Sequence, residues 1–373
     1  MNPEQLKLAV QHFSELPDPR TNRGLNQPLI NVIVIALCAV LSDADSFYDM
    51  EDFGELKRDW LSSFLDLHTG IPSHDTFNRV FARLDPTHFQ ACVLDWVKEA
   101  IGQSLTPGDV LAIDGKSLCG SARPEIKAVH MLNVWSHQHG LCLTSTAVDD
   151  KSNEITRLPS VLDTLSLLSL AGCIITVDAL GTQREVARKL TSLNAHYVMA
   201  LKDNHPQLHE DVQWLFEQDA VPEVFETREQ GHGRLEIRRC EVLTDLGYLQ
   251  LHNWPGLQLI ARVSTQRTVN EKTSHERRFY LSSLAGRPEQ ILAAVRQHWE
   301  VENKLHWMLD VVFGEDDHRY AKDHGPENLA VLRHMALNLL NREPSKGGMK
   351  RKRKRAALSD EFRSTLLMLL LQP

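Results

Sequence analysis

"VLAIDGKSL" (Val110–Leu118) is a run of apolar, β-prone residues that meets an aspartate, with a glycine and a lysine directly behind it. It reads as a strand that ends on Asp114. A carboxylate at the end of a buried strand is costly unless something uses it. A second stretch repeats the pattern. "CIITVDAL" (Cys173–Leu180) is a strictly apolar strand that ends on Asp178. Either acid alone is an ordinary strand-end residue, so the order of the elements around them decides what the pair means.

Between the two acids, "AVHMLNVWS" and "LCLTSTAVD" read as strands joined by the turn "HQHG", and "ITRLPSVLDTLSLL" reads as a helix. After Asp178, "TQREVARKLTSL" is helical and "HYVMAL" is a strand leading into "KDNH". Three strands, helix, strand, helix, strand is the order of a ribonuclease H-like α/β core. In such a mixed sheet the strands carrying Asp114 and Asp178 lie side by side.

The flanking segments differ in character. Residues 1–100 show apolar positions at helical spacing and predict a helical N-terminal domain. "LPDPRTNRGLNQP" (Leu16–Pro28) is a turn-rich connector. The apolar run Leu29–Leu41, broken by Asn31, reads as a buried helix, because a membrane span needs ~20 apolar residues. In "GIPSHDTFNRVFARLDP", Ser73 is the expected cap and Asp85-Pro86 the expected stop. That helix shows Thr76, Asn78, Arg79 and Arg83, a set that suits a DNA-reading helix and equally the wet face of any amphipathic helix.

Beyond residue 205, "RLEIRRCEVLT", "LQLIARVSTQR" and "SHERRFYLSSL" predict a β-rich insertion over 206–285. A long helix, "RPEQILAAVRQHWEVENKLHWMLDVVF", follows, with Pro288 tolerated in its first turn. A further helix spans about Glu327–Asn341. The basic run "KGGMKRKRKR" reads as a flexible linker, and "LSDEFRSTLLMLLL" as a short closing helix. The expected division is 1–100 helical; 105–205 with 286–341 as the α/β core; 206–285 as the insertion; 342–373 as linker and helix.

The net charge of −8 over 373 residues gives no global sign of a nucleic-acid partner, so only local clusters bear on that question. The six cysteines are scattered with no CxxC pair, which argues against a cysteine zinc site and a disulfide framework and fits a reducing cytoplasm. The N-terminus lacks the basic-then-apolar pattern of a signal peptide.

Two adjacent carboxylates disfavour each other's ionisation, and a divalent cation removes that penalty. Magnesium or manganese prefers oxygen ligands, and a metal pair can activate an attacking oxygen and stabilise a leaving one. A third acid is then needed from an element beside the sheet. The long helix offers Glu300 and Glu302, which flank an expected core stripe of Val301, Leu305, Met308 and Val312. Periodicity does not choose between them. His298, Glu302, His306 and Asp310 also form a row at four-residue steps. Two ligands so spaced are a zinc geometry. Three on one straight helix do not surround a single ion, and a hydrogen-bonded polar stripe is the commoner outcome.

Taken together, "AIDGKSL", "KSNEITRLPSVL", "VDALGTQ", "ALKDNH", "YLSSL", "HWEVENKLHWMLDVVFGEDDHR" and "LRHMALNLLN" resemble the motifs of ISAs-type insertion-sequence transposases, the H-repeat-associated proteins. The resemblance runs from about residue 16 to residue 341. It implies a DDE transposase with a ribonuclease H-like catalytic domain, in which the acids are Asp114, Asp178 and, from the "HWEVEN" pattern, Glu302. It further implies two Mg²⁺ or Mn²⁺ ions, cleavage at the ends of an insertion element, and transfer of the freed 3′-hydroxyl to target DNA. Departures are Cys119 where "DGK" is commonly followed by arginine, His205 where glutamine is usual, and Val295, His298 and Leu309 where the wider superfamily has tyrosine, arginine and lysine.

On that reading Lys116, Lys202 and Asn204 position phosphates. The tail, with Lys350, Arg351, Lys352 and Arg353, attracts DNA backbone, and the N-terminal helices with Arg79 and Arg83 recognise element ends. The expected partners are double-stranded DNA, as terminal repeats and as target, and a second copy of the chain. No membrane is involved, and the expected location is the cytoplasm, at the nucleoid. Two rivals share these residues: a repurposed, non-catalytic DNA-binding protein and a metal-dependent nuclease that does not join strands.

Overall fold

The computed structural model describes residues 3–20, 26–102, 105–148, 154–218, 222–231 and 233–371. Residues 21–25 of the expected connector lie outside the described residues. In chain order the regular elements are α1 (Pro3–Val10), α2 (Leu29–Leu41), α3 (Phe47–Leu56), α4 (Arg58–Ser62), α5 (His74–Arg83) and α6 (Pro86–Ala100). Next come β1 (Val110–Leu118), β2 (Val129–Ser136), β3 (Leu141–Val148), α7 (Glu154–Leu165), β4 (Ile174–Val177), α8 (Arg184–Ser192) and β5 (His196–Leu201). Then follow α9 (Pro206–Glu217), β6 (Glu223–Gly231), β7 (Arg234–Leu243), β8 (Leu259–Val269), β9 (Lys272–Ser282) and α10 (Pro288–Val301). A π-helical turn (Glu302–His306) leads to α11 (Trp307–Val311), α12 (Gly325–Arg342), α13 (Met349–Leu358) and α14 (Asp360–Met368).

The chain divides into two compact units. One comprises Met1–Ser104, Gly115–Lys151 and Glu302–Pro373; the other comprises Leu105–Asp114 and Ser152–Val301. One crossing between them falls inside β1, directly after Asp114, and another at the junction of α10 and the π turn, directly before Glu302.

The first unit is mostly helical. Its centre is α2, in which every residue from Asn31 to Leu41 is buried. Asn31 is admitted there because its amide donates to the carbonyl of Asp66 at 2.6 Å. Helix α12 packs on α2, α5, α6 and β3, and it too is buried on nearly all sides. Helix α3 starts with a capping box between Ser46 and Asp49. Asp85-Pro86 does more than stop α5: the Asp85 side chain accepts from the Thr87 N–H at 2.8 Å and Pro86 opens α6, so the expected stop is also a start. β2 and β3 form the antiparallel hairpin expected around "HQHG", and Gly140 supplies the turn with φ +63°.

The second unit is built on a large mixed sheet. β1, β4 and β5 are parallel neighbours. β9 pairs antiparallel with β5, and β8, β7 and β6 follow by antiparallel pairing. The strands read as a β-rich insertion therefore extend the same sheet outward from β5. Helix α10 covers one face: Ile291, Leu292, Ala294 and Val295 pack on Ile174, Val198, Cys240, Val242, Ala261 and Val263. Burial of each large aliphatic side chain there contributes roughly 1.5–3 kcal/mol.

Two local expectations change. First, β1 does not stop at Asp114 but continues to Leu118, with Lys116 and Leu118 buried. Second, the helix after residue 287 is interrupted. The π turn holds an extra residue, so the buried row runs from Leu305 within it to Leu309 and Phe313 beyond it. Met308 and Val312, assigned to the core stripe by uninterrupted helical spacing, are only half-buried. No helix among the described residues is long and apolar enough to cross a membrane.

Candidate active site

The second unit brings two of the expected acids together. Ala112 and Ile113 of β1 are in parallel register with Thr176 and Val177 of β4. Asp114 and Asp178 are the next residues along, so both carboxylates leave the same edge of the sheet from adjacent strands. Both are half-buried. Strands in a parallel pair lie about 4.8 Å apart, so the backbones that carry the two acids are close neighbours.

The loop behind Asp178 is tightly organised. The Gly181 N–H donates to Asp178 Oδ1 at 3.0 Å. The Thr182 hydroxyl donates to the Ala200 carbonyl at 2.6 Å and lies 3.0 Å from the Asp178 carbonyl, tying the end of β4 to β5. The Asn204 amide donates to the Ala179 carbonyl, and His205 Nε2 lies 2.7 Å from the Thr182 carbonyl. Of the residues expected to hold phosphate, Lys202 and Asn204 are exposed, and Asn204 already braces this loop.

Helix α10 is fixed at its C-terminal end by His298, whose Nδ1 lies 2.9 Å from the hydroxyl of buried Thr176 on β4. His298 thus braces the strand that carries Asp178. No signal in the row His298, Glu302, His306, Asp310 distinguishes this strand contact from metal ligation. The row is also broken by the π turn. In the first unit, His306 is 6 % exposed and its Nδ1 lies 3.5 Å from Glu302 Oε2. Glu302 is exposed and Glu300 half-buried.

Lys116 is buried in the first unit and sits among three carboxylates: Asp310 at 2.6 Å, Glu315 at 3.3 Å and Asp316 at 3.6 Å. Burial pulls its ammonium down, but Glu315, Asp310 and Asp316 together outweigh that, and its pKa stands above the ordinary lysine value. The sequence reading assigned this cation to DNA phosphate. The acids around it, of which Glu315 is buried, come from a segment remote in sequence, and nothing in "IDGK" announces them.

The basic tail also differs from the expected linker: it forms α13 and two of its cations point inward. Arg353 is 1 % exposed and donates to the Val40 carbonyl at 3.1 and 2.9 Å and to the Val312 carbonyl, with Asp43 at 3.0 Å. Lys352 donates to the Leu340 and Glu343 carbonyls. Lys346, Lys350, Arg351 and Lys354 are exposed. Arg79 and Arg83 are exposed on α5, where Arg79 leans back on Asp75 and Thr76.

A helical unit, and a mixed sheet whose parallel neighbours carry Asp114 within β1 and Asp178 directly after β4, define a class with a family counterpart. The Transposase DDE domain profile matches residues 105–339, and the DDE_Tnp_1-associated profile matches residues 10–97. The chain belongs to the DDE transposase family. The H repeat-associated protein YhhI of Escherichia coli K12, whose naming as a transposase is provisional, is 34 % identical over 377 residues, covering 97 % of this chain and 98 % of that protein. YncI of Escherichia coli O157:H7, provisionally named in the same way, is 33 % identical over 367 residues, covering 95 % and 93 %. An uncharacterized protein from the dhlA 3′ region of Xanthobacter autotrophicus is 42 % identical over 284 residues, covering 74 % and 94 %. Among solved structures, a piggyBac transposase synaptic complex with hairpin DNA aligns at a TM-score of 0.40 and 11 % identity, covering 100 % of this chain and 79 % of that one.

Proposed function

We propose that the chain is a catalytic DDE transposase, with Asp114, Asp178 and Glu302 as its acids on a ribonuclease H-like core. The observation that carries this reading is the parallel pairing of Ile113 with Val177, which sets the two aspartates side by side. Glu302 follows one turn after His298, and His298 is bonded to Thr176, two residues before Asp178. That linkage favours Glu302 over Glu300. His306, beside Glu302, is a further candidate donor.

The donor set fits hard cations. Carboxylate oxygens suit Mg²⁺ or Mn²⁺, and the repulsion between Asp114 and Asp178 is what a cation relieves. Two ions are expected; when bound, they activate the attacking oxygen and stabilise the leaving one. The rest of the work falls to the chain. Asp114 is presented from within β1 and Asp178 directly after β4, and the Gly181 N–H orients the Asp178 carboxylate. Exposed Lys202, Arg79, Arg83, Lys350 and Arg351 take DNA phosphates. No serine or tyrosine nucleophile is required, because water and then a DNA 3′-hydroxyl attack the phosphodiester. The proposed partners are element ends, target DNA and a second copy of the chain on paired ends, in the cytoplasm.

The test is a cleavage and strand-transfer assay on DNA carrying the element's own terminal repeats, with Mg²⁺ or EDTA. Metal-dependent cut and joined products are expected, and Asp114→Asn abolishes both. Activity that survives Asp114→Asn overturns the assignment. Cutting without joining indicates a nuclease, and binding without cutting indicates a repurposed protein.

A further inference from the structure

We propose that Lys116 is a positioning residue: within the first unit its buried ammonium ties Gly115–Leu118 of β1 to the segment following Glu302, and so holds Glu302 in its setting as a metal ligand. This rests on the catalytic reading above. Residues Gly115–Leu118 of β1 and the segment from Glu302 onward belong to one compact unit. Lys116 is two residues past Asp114, on the same face of the strand. Its three acids, Asp310, Glu315 and Asp316, all come from the chain just beyond the π turn.

The chemistry of this cluster is demanding. Glu315 is 3 % exposed, and neither of its carboxylate oxygens accepts a hydrogen bond among the described residues. Among the described residues its charge is met by ion pairing, to Lys116 at 3.3 Å and to Arg333 at 3.7 Å. A buried carboxylate of this kind is tolerated only while its cations stay in place. Removing Lys116 therefore unsettles the whole segment from Asp310 to Asp316.

The same two stretches are laced together further along. The Cys119 N–H donates to Asp316 Oδ1 at 3.1 Å, and Arg123 Nη2 donates to the Arg319 carbonyl at 3.1 Å. Between them Gly120 lies so close to the other stretch that a Cβ there would sit 2.2 Å from the His318 carbonyl oxygen. Such lacing has a purpose beside Glu302. The π turn Glu302–His306 breaks the regular i→i−4 ladder, so the helix alone holds its first residue less firmly. An external tie to Gly115–Leu118, in the same unit, steadies the segment that starts at Glu302.

The alternative role for Lys116, a direct phosphate contact, makes the opposite prediction, so the experiment separates them. Full-length Lys116→Met, Asp310→Asn and the double variant are titrated with Mn²⁺ alone, and their affinity for a non-specific duplex is measured in EDTA. Loss of a residue that orients a metal ligand weakens Mn²⁺ binding roughly 10-fold or more. Lys116→Met and Asp310→Asn are each expected to do so, with duplex affinity unchanged, and the double variant is no weaker than the worse single one. Wild-type Mn²⁺ affinity in Lys116→Met overturns the proposal. So does weakened duplex binding with Mn²⁺ affinity intact. If Lys116→Met fails to fold, Asp310→Asn carries the test, and unchanged Mn²⁺ affinity there overturns it. Asp114→Asn is the reference. If it retains Mn²⁺ binding, the catalytic reading itself fails; if it loses binding while Lys116→Met does not, only the positioning role fails.

Discussion

Ile113 of β1 and Val177 of β4 are register partners in a parallel pair, and the next residue on each strand is an aspartate. The sheet thus sets the backbones of two aspartates on neighbouring strands. On the proposed reading, a cation held by their carboxylates offsets the repulsion of two like charges.

Asp178→Asn separates these two effects. In EDTA the variant is expected to melt at or above the wild-type temperature, since one of two repelling charges is gone. In Mg²⁺ at about 100 times its dissociation constant, the wild type gains roughly 2.7 kcal/mol and the variant little of it. Thermal melts with and without Mg²⁺ check this. A variant that melts lower in EDTA and still gains from Mg²⁺ contradicts the pairing as a metal site.

Glu302 and Glu300 are two residues apart, and side-by-side substitution decides between them. Glu302→Gln is expected to lower metal-dependent cutting at least ~1000-fold, as loss of a metal-bound carboxylate should, while Glu300→Gln stays within about threefold. Single-turnover cleavage of an end-bearing duplex is the measurement. The reverse ranking moves the third acid to Glu300.

Much of this was legible in the sequence because local patterns encode it. The apolar runs before Asp114 and Asp178, and the order of elements around them, place both acids on strands that the sheet sets side by side. What was not legible depends on distant partners. Lys116 looks like a surface cation until Asp310, Glu315 and Asp316 close around it from far along the chain. "KRKRKR" looks like a solvated linker because composition says nothing of the Val40 and Val312 carbonyls that receive Arg353. The π turn has no periodic signature of its own; it shows only as a displaced stripe, with Leu309 and Phe313 buried instead of Met308 and Val312.

Helix α13 therefore has two edges with different roles. Arg353→Met leaves the Val40 and Val312 carbonyls and Asp43 without their cation, and is expected to cost roughly 3 kcal/mol or more of stability. Lys350→Ala with Lys354→Ala touches only exposed cations and should shift stability by no more than about 0.5 kcal/mol. If both lysines meet phosphates, the pair should flatten the slope of log affinity against log salt by about 2. Denaturant melts and salt-dependent duplex binding read the two effects separately. An unchanged salt slope removes α13 from the DNA surface.

His334 gives the fold a defined acid sensitivity. It lies on α12, is 4 % exposed, and its Nδ1 has no hydrogen-bond partner among the described residues. Burial first, then His306, Lys116 and Arg333, hold its pKa down at about 3, against 6.5 for an ordinary histidine. The unfolded chain therefore binds a proton between these values that the folded chain refuses. Stability is intact above about 6.5 and falls as the pH drops toward 3. At about pH 5 this one group costs roughly 2 kcal/mol relative to neutral pH. His318, held at about 4 by burial and Arg333, works in the same direction. His334→Leu should flatten the decline between about pH 7 and pH 5 by roughly 2 kcal/mol while leaving the His318 contribution in place. Urea titrations of wild type and variant at a series of pH values measure it, and parallel curves would mean that His334 is charged in the folded protein.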